Sequence, residues 1–286
     1  MIELQAGQAR ATIDPERGGR MASLWIGDRE LLVGPPDGDD RSIHWGCFLM
    51  APWAGRLAGG RLRFRARTHQ LRRTHGRHAI HGLVWAAPWS VDAAGTHATL
   101  AVNLDRDGWP FGGGVRQAYG LSADRLTIEA TITAGEQPMP AALGWHPWFR
   151  RDAVGGEPRL RLDARGVLAR RAMLPTGAVV ALDRRTDLRS GPRLGRRRLD
   201  DAFVGARSPA VLTGDELELT VAFGPASDTL VVYTPWNAVC IEPQTAQPNA
   251  LALGDVAARS AGRRDLQPGE SLNASIEISW RRPTGA

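Results

Sequence analysis

The sequence contains no lysine: all 36 basic side chains are arginine, and against 30 acidic residues they leave a net charge of +6. Such an excess can mark an anionic partner such as nucleic acid. Here the arginines are scattered and no nucleic-acid-binding motif accompanies them, so no nucleic-acid partner is expected. The densest group, Arg184, Arg185, Arg189, Arg193, Arg196, Arg197 and Arg198, falls in a Gly/Pro-containing stretch that reads as a long surface loop, with phosphate binding as its alternative use. Cysteine is nearly missing. Two residues, Cys47 and Cys240, lie far apart in apolar segments, which excludes a disulfide-built scaffold and suggests buried thiols in a reducing compartment, with a single disulfide left open. Long apolar runs are missing too: no window approaches the roughly 20 residues of a membrane-spanning helix. The start, MIELQAGQARATID, has no basic segment followed by an apolar block. A cytoplasmic protein with no membrane partner is the expectation. Finally, no segment sustains a helical stripe for three turns with caps at both ends.

What is present has a period of two. Leu126, Ile128, Ala130 and Ile132 alternate with Thr127, Glu129, Thr131 and Thr133; Leu217, Leu219, Val221 and Phe223 alternate with polar neighbours; so do Leu272, Ala274, Ile276, Ile278 and Trp280. Each reads as a half-buried strand. RLRFRARTHQL, with Leu62, Phe64 and Ala66 on one face, reads as another, and so does ATLAVNL around Leu100. Turn signals at Ala58-Gly-Gly, Asp107-Gly and Phe111-Gly-Gly-Gly separate them. The 33 glycines and 19 prolines break long helices, while 43% hydrophobic residues and ten tryptophans argue against disorder. Strands at short spacing without intervening helices predict an all-β chain of antiparallel sheets packed as a sandwich. With no repeat and no linker, residues 1–286 are expected to form a single domain, a length that all-β sandwiches often reach undivided.

Three segments carry candidate chemistry. In VVYTPWNAVCIEPQTAQPNAL, Glu242 stands between an apolar strand and a loop rich in Pro, Gln, Thr and Asn. HAIHGLVW holds His78 and His81, and ALGWHPWF holds His146 flanked by Trp145 and Trp148. Amphipathic rings around one titratable group suit the face of a sugar. A metal reading of His78 and His81 is unfavourable: residues three apart on a strand point to opposite faces, and no third ligand is evident. No metal is expected. In isolation His81 would read as a buried structural histidine, Arg56 as a salt-bridge partner and Asp200 as a loop cap.

PWAGRLAGGRLRF (Pro52 to Phe64), HAIHG (His78 to Gly82), GWHPWF (Gly144 to Phe149), LDDAF (Leu199 to Phe203) and IEPQTAQPNA (Ile241 to Ala250) together resemble the ordered motif series of the aldose 1-epimerase, or galactose mutarotase, family. The resemblance implies a galactose mutarotase-like supersandwich and an isomerase that interconverts the α and β anomers of an aldose. It further implies Glu242 as general base, His146 as general acid, and His81 as a second histidine near the ring oxygen. Arg56 and Asp200 match sugar-binding residues, with Asp201 an adjacent competitor; Trp148 and His78 join them as substrate-binding candidates. The chemistry needs one base and one acid across the C1–O5 unit, groups that carboxylate and imidazole provide without any cofactor.

Two departures bear on the substrate. Gly55 stands where an Asn often precedes the Arg56-type arginine, and a second Asn expected before the His146 motif is replaced around Thr133 and Ala134. Two alternatives therefore accompany the mutarotase reading. A hexose-6-phosphate 1-epimerase would need several arginines to converge on a phosphate, from Arg56, Arg72, Arg73, Arg77 and the 184–198 group. A non-catalytic carbohydrate-binding or regulatory domain would have no need for opposed acid and base. The oligomeric state is not encoded in any pattern read here.

Overall fold

The computed structural model of the chain describes residues 1–35 and 42–283. Alternation of apolar and polar residues produces what it predicts, two large antiparallel sheets. In the eight-stranded sheet, Arg125–Thr133 pairs with Ser271–Arg281 over nine residue pairs, Ile128 opposite Ile276, and Glu218–Phe223 continues the sheet beyond it. The apolar members of these strands are buried and their Thr, Ser and Glu neighbours are not. Among the described residues, helix is confined to short 3-10 turns and to the six residues Asp255–Ser260.

The eleven-stranded sheet differs, because its central strands are covered on both faces. Cys47–Met50, Gly144–Arg150 and Ala238–Gln244 are buried almost throughout. One face packs on the core shared with the smaller sheet, through Leu49, Trp145, Phe149, Val239 and Ile241. Residues two apart then line the other face, where Phe48, Met50, Trp148, Ala238 and Cys240 form a separate apolar cluster. Behind the sheet, the Trp145 indole donates to Gln117 Oε1, while the Gln117 amide and the Tyr119 hydroxyl both donate to the Gly19 carbonyl. This fully buried polar group ties the two sheets together next to His146.

The ladder between Gly144–Arg150 and Ala238–Gln244 is interrupted. Gly144 pairs with Gln244 and Trp148 with Cys240, with no registered pair between them. Each strand carries a proline in that gap, Pro147 and Pro243, and neither has an N–H to give. The gap lies at His146 and Glu242.

One sequence expectation is corrected. RLRFRARTHQL is not one strand but a hairpin, Arg61–Phe64 paired with Arg67–Gln70. Its turn is made by Arg65 and Ala66, both at positive φ (48° and 60°). That geometry is usually signalled by Asn or Gly, and neither stands here. The two cysteines are free and buried, Cys47 in the main core and Cys240 in the cluster on the opposite face, which closes the disulfide option. No described helix is long and apolar enough to cross a membrane.

Candidate functional site

Four strands of the large sheet supply the floor of a cleft through side chains on its outer face. Register places Val231 opposite Glu242, Tyr233 opposite Cys240, and Asp200 opposite Tyr233, so Glu242, Val231, Tyr233, Asp200 and Ala202 all point the same way. His146 and Trp148 join them from Gly144–Arg150. The walls come from His44, from Arg56, His75 and His81, and from the hairpin Gly166–Arg171/Leu174–Val180, which contributes Leu168, Arg170 and Pro175. The cavity measures about 220 Å³; on the same measure one water needs only about 10–15 Å³. A monosaccharide is the right scale of occupant.

At its base His146 Nε2 lies 3.3 Å from Glu242 Oε1, with both side chains nearly solvent-free. The His146 ring stacks on Trp148 with centroids 5.1 Å apart and planes inclined by 6°, and meets His81 edge-on at 5.1 Å. Phe48 touches both imidazoles. This apolar casing sets the electrostatics. Burial, reinforced by the charge of Asp200, pushes the Glu242 carboxyl well above its ordinary range, with a hydrogen bond from Gln244 opposing. Burial, then His81, His44 and Arg20, pulls His146 well below the usual imidazole value. His81 is lowered to about 3 by burial and then by Arg56, so it serves as a neutral imidazole. Burial therefore biases the pair towards a neutral carboxyl and a neutral imidazole, whereas the free carboxyl value would favour the carboxylate.

Among the described residues, His81 Nδ1, His146 Nδ1, Trp148 Nε1 and Gln244 Oε1 are buried with no protein hydrogen-bond partner, which leaves them available to water or a ligand. Gln244 Nε2 donates to Glu242 Oε2 at 3.4 Å. From behind Phe48, the buried Arg20 guanidinium stacks on Trp45 and Phe48, at 4.2 and 4.8 Å. It donates to the carbonyls of Ser42, Trp45 and Trp85, fixing the segment that carries His44. Burial lowers it to about 10, still charged at neutral pH.

Of the residues singled out from sequence, Glu242, His146, His81, Arg56, Asp200 and Trp148 all line the cleft. His78 does not: it precedes the short strand Ala79–Ile80, and its Nδ1 accepts from the Gly59 N–H at 3.1 Å. His75 is there instead, its Nε2 3.5 Å from Arg56 Nη2. Alternation separates Asp200 from Asp201, and only Asp200 lines the cleft. Asp201 faces away from the cleft and is held by both guanidinium nitrogens of Arg185, at 2.5 and 2.8 Å. Burial, the largest single influence, would raise its carboxyl, but the Arg185 hydrogen bonds, the Asp200 N–H and the charges of Arg185 and Arg170 together hold it below the usual range.

Gly55, at φ 66°, lies so close to Pro248 that a Cβ there would come within 2.7 Å of its ring; the side-chain amide common at this position has no room. Arg72, Arg73, Arg77 and the 184–198 arginines lie outside the cleft. Sequence reading passed over His44, His75, Arg170, Tyr233 and Gln244. The last two were within reach, being two residues from Val231 and Glu242 on the same strands. Among the described residues, no group of three or more His, Cys, Asp or Glu side chains could hold a metal ion.

Comparison with known proteins agrees with this geometry. The sequence profile of the family described as Aldose 1-epimerase matches residues 1–279. The chain is 24% identical to the Escherichia coli (strain K12) uncharacterized protein YphB over 285 residues, covering 93% of this chain and 94% of that one. Among solved structures, a putative aldose 1-epimerase from Escherichia coli K12 superposes with a TM-score of 0.85 at 22% identity, covering 98% of both chains. A galactose mutarotase-like protein from Clostridium acetobutylicum gives 0.86 at 18% identity, covering 98% of this chain and 95% of that one. At such identities the two structures speak for the fold.

Proposed function

Because the chain belongs to the aldose 1-epimerase family, we propose that it interconverts the α and β anomers of an aldose by general acid–base ring opening. The observation that carries this reading is the Glu242–His146 contact of 3.3 Å, sealed from water at the base of a cleft of monosaccharide size. Opening the ring requires taking the proton of the C1 hydroxyl and giving one to the ring oxygen. Once the pair's single proton has crossed the 3.3 Å contact from carboxyl to imidazole, Glu242 takes the first and His146 gives the second, each step contributing about 10²–10⁴ in rate. After opening, the carboxyl is protonated and the imidazole neutral. That is the state burial favours in the empty site. Ring closure on the other face reverses the transfers, so the pair ends each turnover with the single proton it began with. His81, held neutral, can hydrogen-bond the sugar near the ring oxygen without competing as an acid. Trp148 offers an apolar face, and Arg56 and Asp200 offer hydroxyl contacts.

An uncharged sugar suits the cleft better than a phosphorylated one. Two guanidinium groups line it, Arg56 and Arg170, and Arg170 is engaged by Asp200 at 2.7 Å. The decisive experiment follows fresh α-anomers of several aldoses and sugar phosphates by NMR with wild-type protein and Glu242→Gln. Wild type should speed equilibration of a free aldose, and the variant, with its fold intact by circular dichroism, should lose at least about 10²-fold. Undiminished activity in the variant would remove the mechanism; enhancement with phosphorylated sugars alone would replace the substrate class.

A further inference from the structure

The Gly166–Arg171 strand carries an arginine that no sequence motif singles out. Arg170 Nη1 lies 2.7 Å from Asp200 Oδ2, and the two side chains are 38% and 35% exposed, both towards the cleft. An ion pair this exposed adds little to stability, so stability alone gives it no reason to face a cavity. Its position relative to the acid–base pair follows from the sheet. Asp200 stands two strands from Glu242, across Tyr233 and Cys240, and one pleat along. At roughly 4.8 Å between strands and 3.4 Å per residue, the two Cα atoms are about 12 Å apart. Two inward-reaching side chains and one pyranose ring fill that span. With C1 held at Glu242, Arg170 and Asp200 meet the ring carbons remote from it.

The pair leaves one acceptor and a set of donors side by side. Asp200 Oδ1 and Arg170 Nε and Nη2 have no other side-chain partner among the described residues. A hydroxyl group can donate to the first while its neighbour accepts from the second. An anionic substituent, which only accepts, would meet a guanidinium already neutralised and a carboxylate beside it.

Resting on the anomer-interconverting reading of this site, we propose that Arg170, paired with Asp200, is a specificity-determining residue that reads two adjacent free hydroxyls on the sugar carbons remote from C1. It acts on substrate affinity and takes no part in proton transfer.

The test is a cycle between Arg170→Met and the deoxy sugars 3-deoxy- and 4-deoxy-D-glucose, with D-glucose as reference. Arg170→Met should raise KM for D-glucose about tenfold, the range for a hydrogen bond to a charged group, with kcat within about threefold and the pH profile unmoved. For the deoxy sugar that lacks the recognised hydroxyl, the same substitution should change KM less than about twofold. Arg170→Lys, which keeps the charge but loses the planar fork, should recover only part of the loss. Equal KM changes for all three sugars, or a fall in kcat at constant KM, would overturn the proposal. So would inhibition by inorganic phosphate that Arg170→Met relieves, because Arg170 would then be an anion anchor. Binding of the same sugars, followed by tryptophan fluorescence, gives a readout independent of turnover. A protein that binds sugars with this selectivity but interconverts no anomers sinks the proposed reaction and leaves this inference standing; Asp200→Asn, with the same binding selectivity lost, serves as the second variant.

Discussion

In the proposed reaction, burial of the Glu242–His146 pair should govern the pH dependence of kcat/KM, which reports the free enzyme. The reaction needs one proton on the pair, which titrates as a unit. With free values of about 4.3 for the carboxyl and 6.5 for the imidazole, the productive form would dominate only between them. At pH 8 about 3% of the imidazole would be protonated, a fall of roughly 30-fold. In this structure the sign reverses. The doubly protonated pair carries +1 and the deprotonated pair −1, while the singly protonated pair is neutral overall. Burial penalises both charged extremes: it pulls His146 down, so the second proton adds only at low pH, and pushes Glu242 up, so the last proton leaves only at high pH. The window widens on both sides. Polarimetry of a fresh α-anomer, corrected for spontaneous mutarotation, should show no fall in kcat/KM as the pH rises through the free imidazole value of about 6.5. Trp148→Ala, which admits water beside the stacked imidazole, should narrow that plateau. A decline centred near 6.5 in the wild-type protein would refute the reasoning, since it would mean an imidazole titrating as if in water.

Three further outcomes follow from the same structure. Asp201→Asn removes one side of the Arg185 fork behind the sheet, so it should cost about 1–3 kcal/mol of stability, read as a lower Tm with kcat and KM near wild type. Asp200→Asn should do the opposite, raising KM at nearly constant Tm. Neither Cys47 nor Cys240 should react with Ellman's reagent in the native protein, and both should react in guanidinium chloride: both are buried, and burial pushes the Cys47 thiol up to about 12 and Cys240 well above its usual value. Rapid labelling of the folded chain would contradict the packing of both faces.

Much of the fold was legible because a strand with one wet face writes its burial into alternate residues, as Arg125–Thr133 and Ser271–Arg281 do. The central strands of the large sheet, covered on both faces, carry no such alternation, and Ala238–Gln244 reads as a continuous apolar run until Glu242. The acid, the two histidines and Arg56 were found through motifs that keep residue types in order. His78 was not separable from His75, because which histidine reaches the cleft depends on the turn at 75–78, where their backbones bond to each other. Arg170 was invisible for a different reason. It stands in a run, ARR, with no local signature, and only the pairing of Gly166–Arg171 with Asp200–Val204 brings it to the cleft.

The residues proposed for chemistry hang from the middle strands of the widest sheet, bolted from behind by the Trp145, Gln117, Tyr119 and Gly19 hydrogen bonds. Elements so placed open only when the whole molecule opens. The amide hydrogens of Phe149 and Val239, a registered pair in these strands, should therefore exchange with deuterium among the slowest in the chain, and heating should abolish turnover along the same curve that erases the circular dichroism, with no inactive folded form in between.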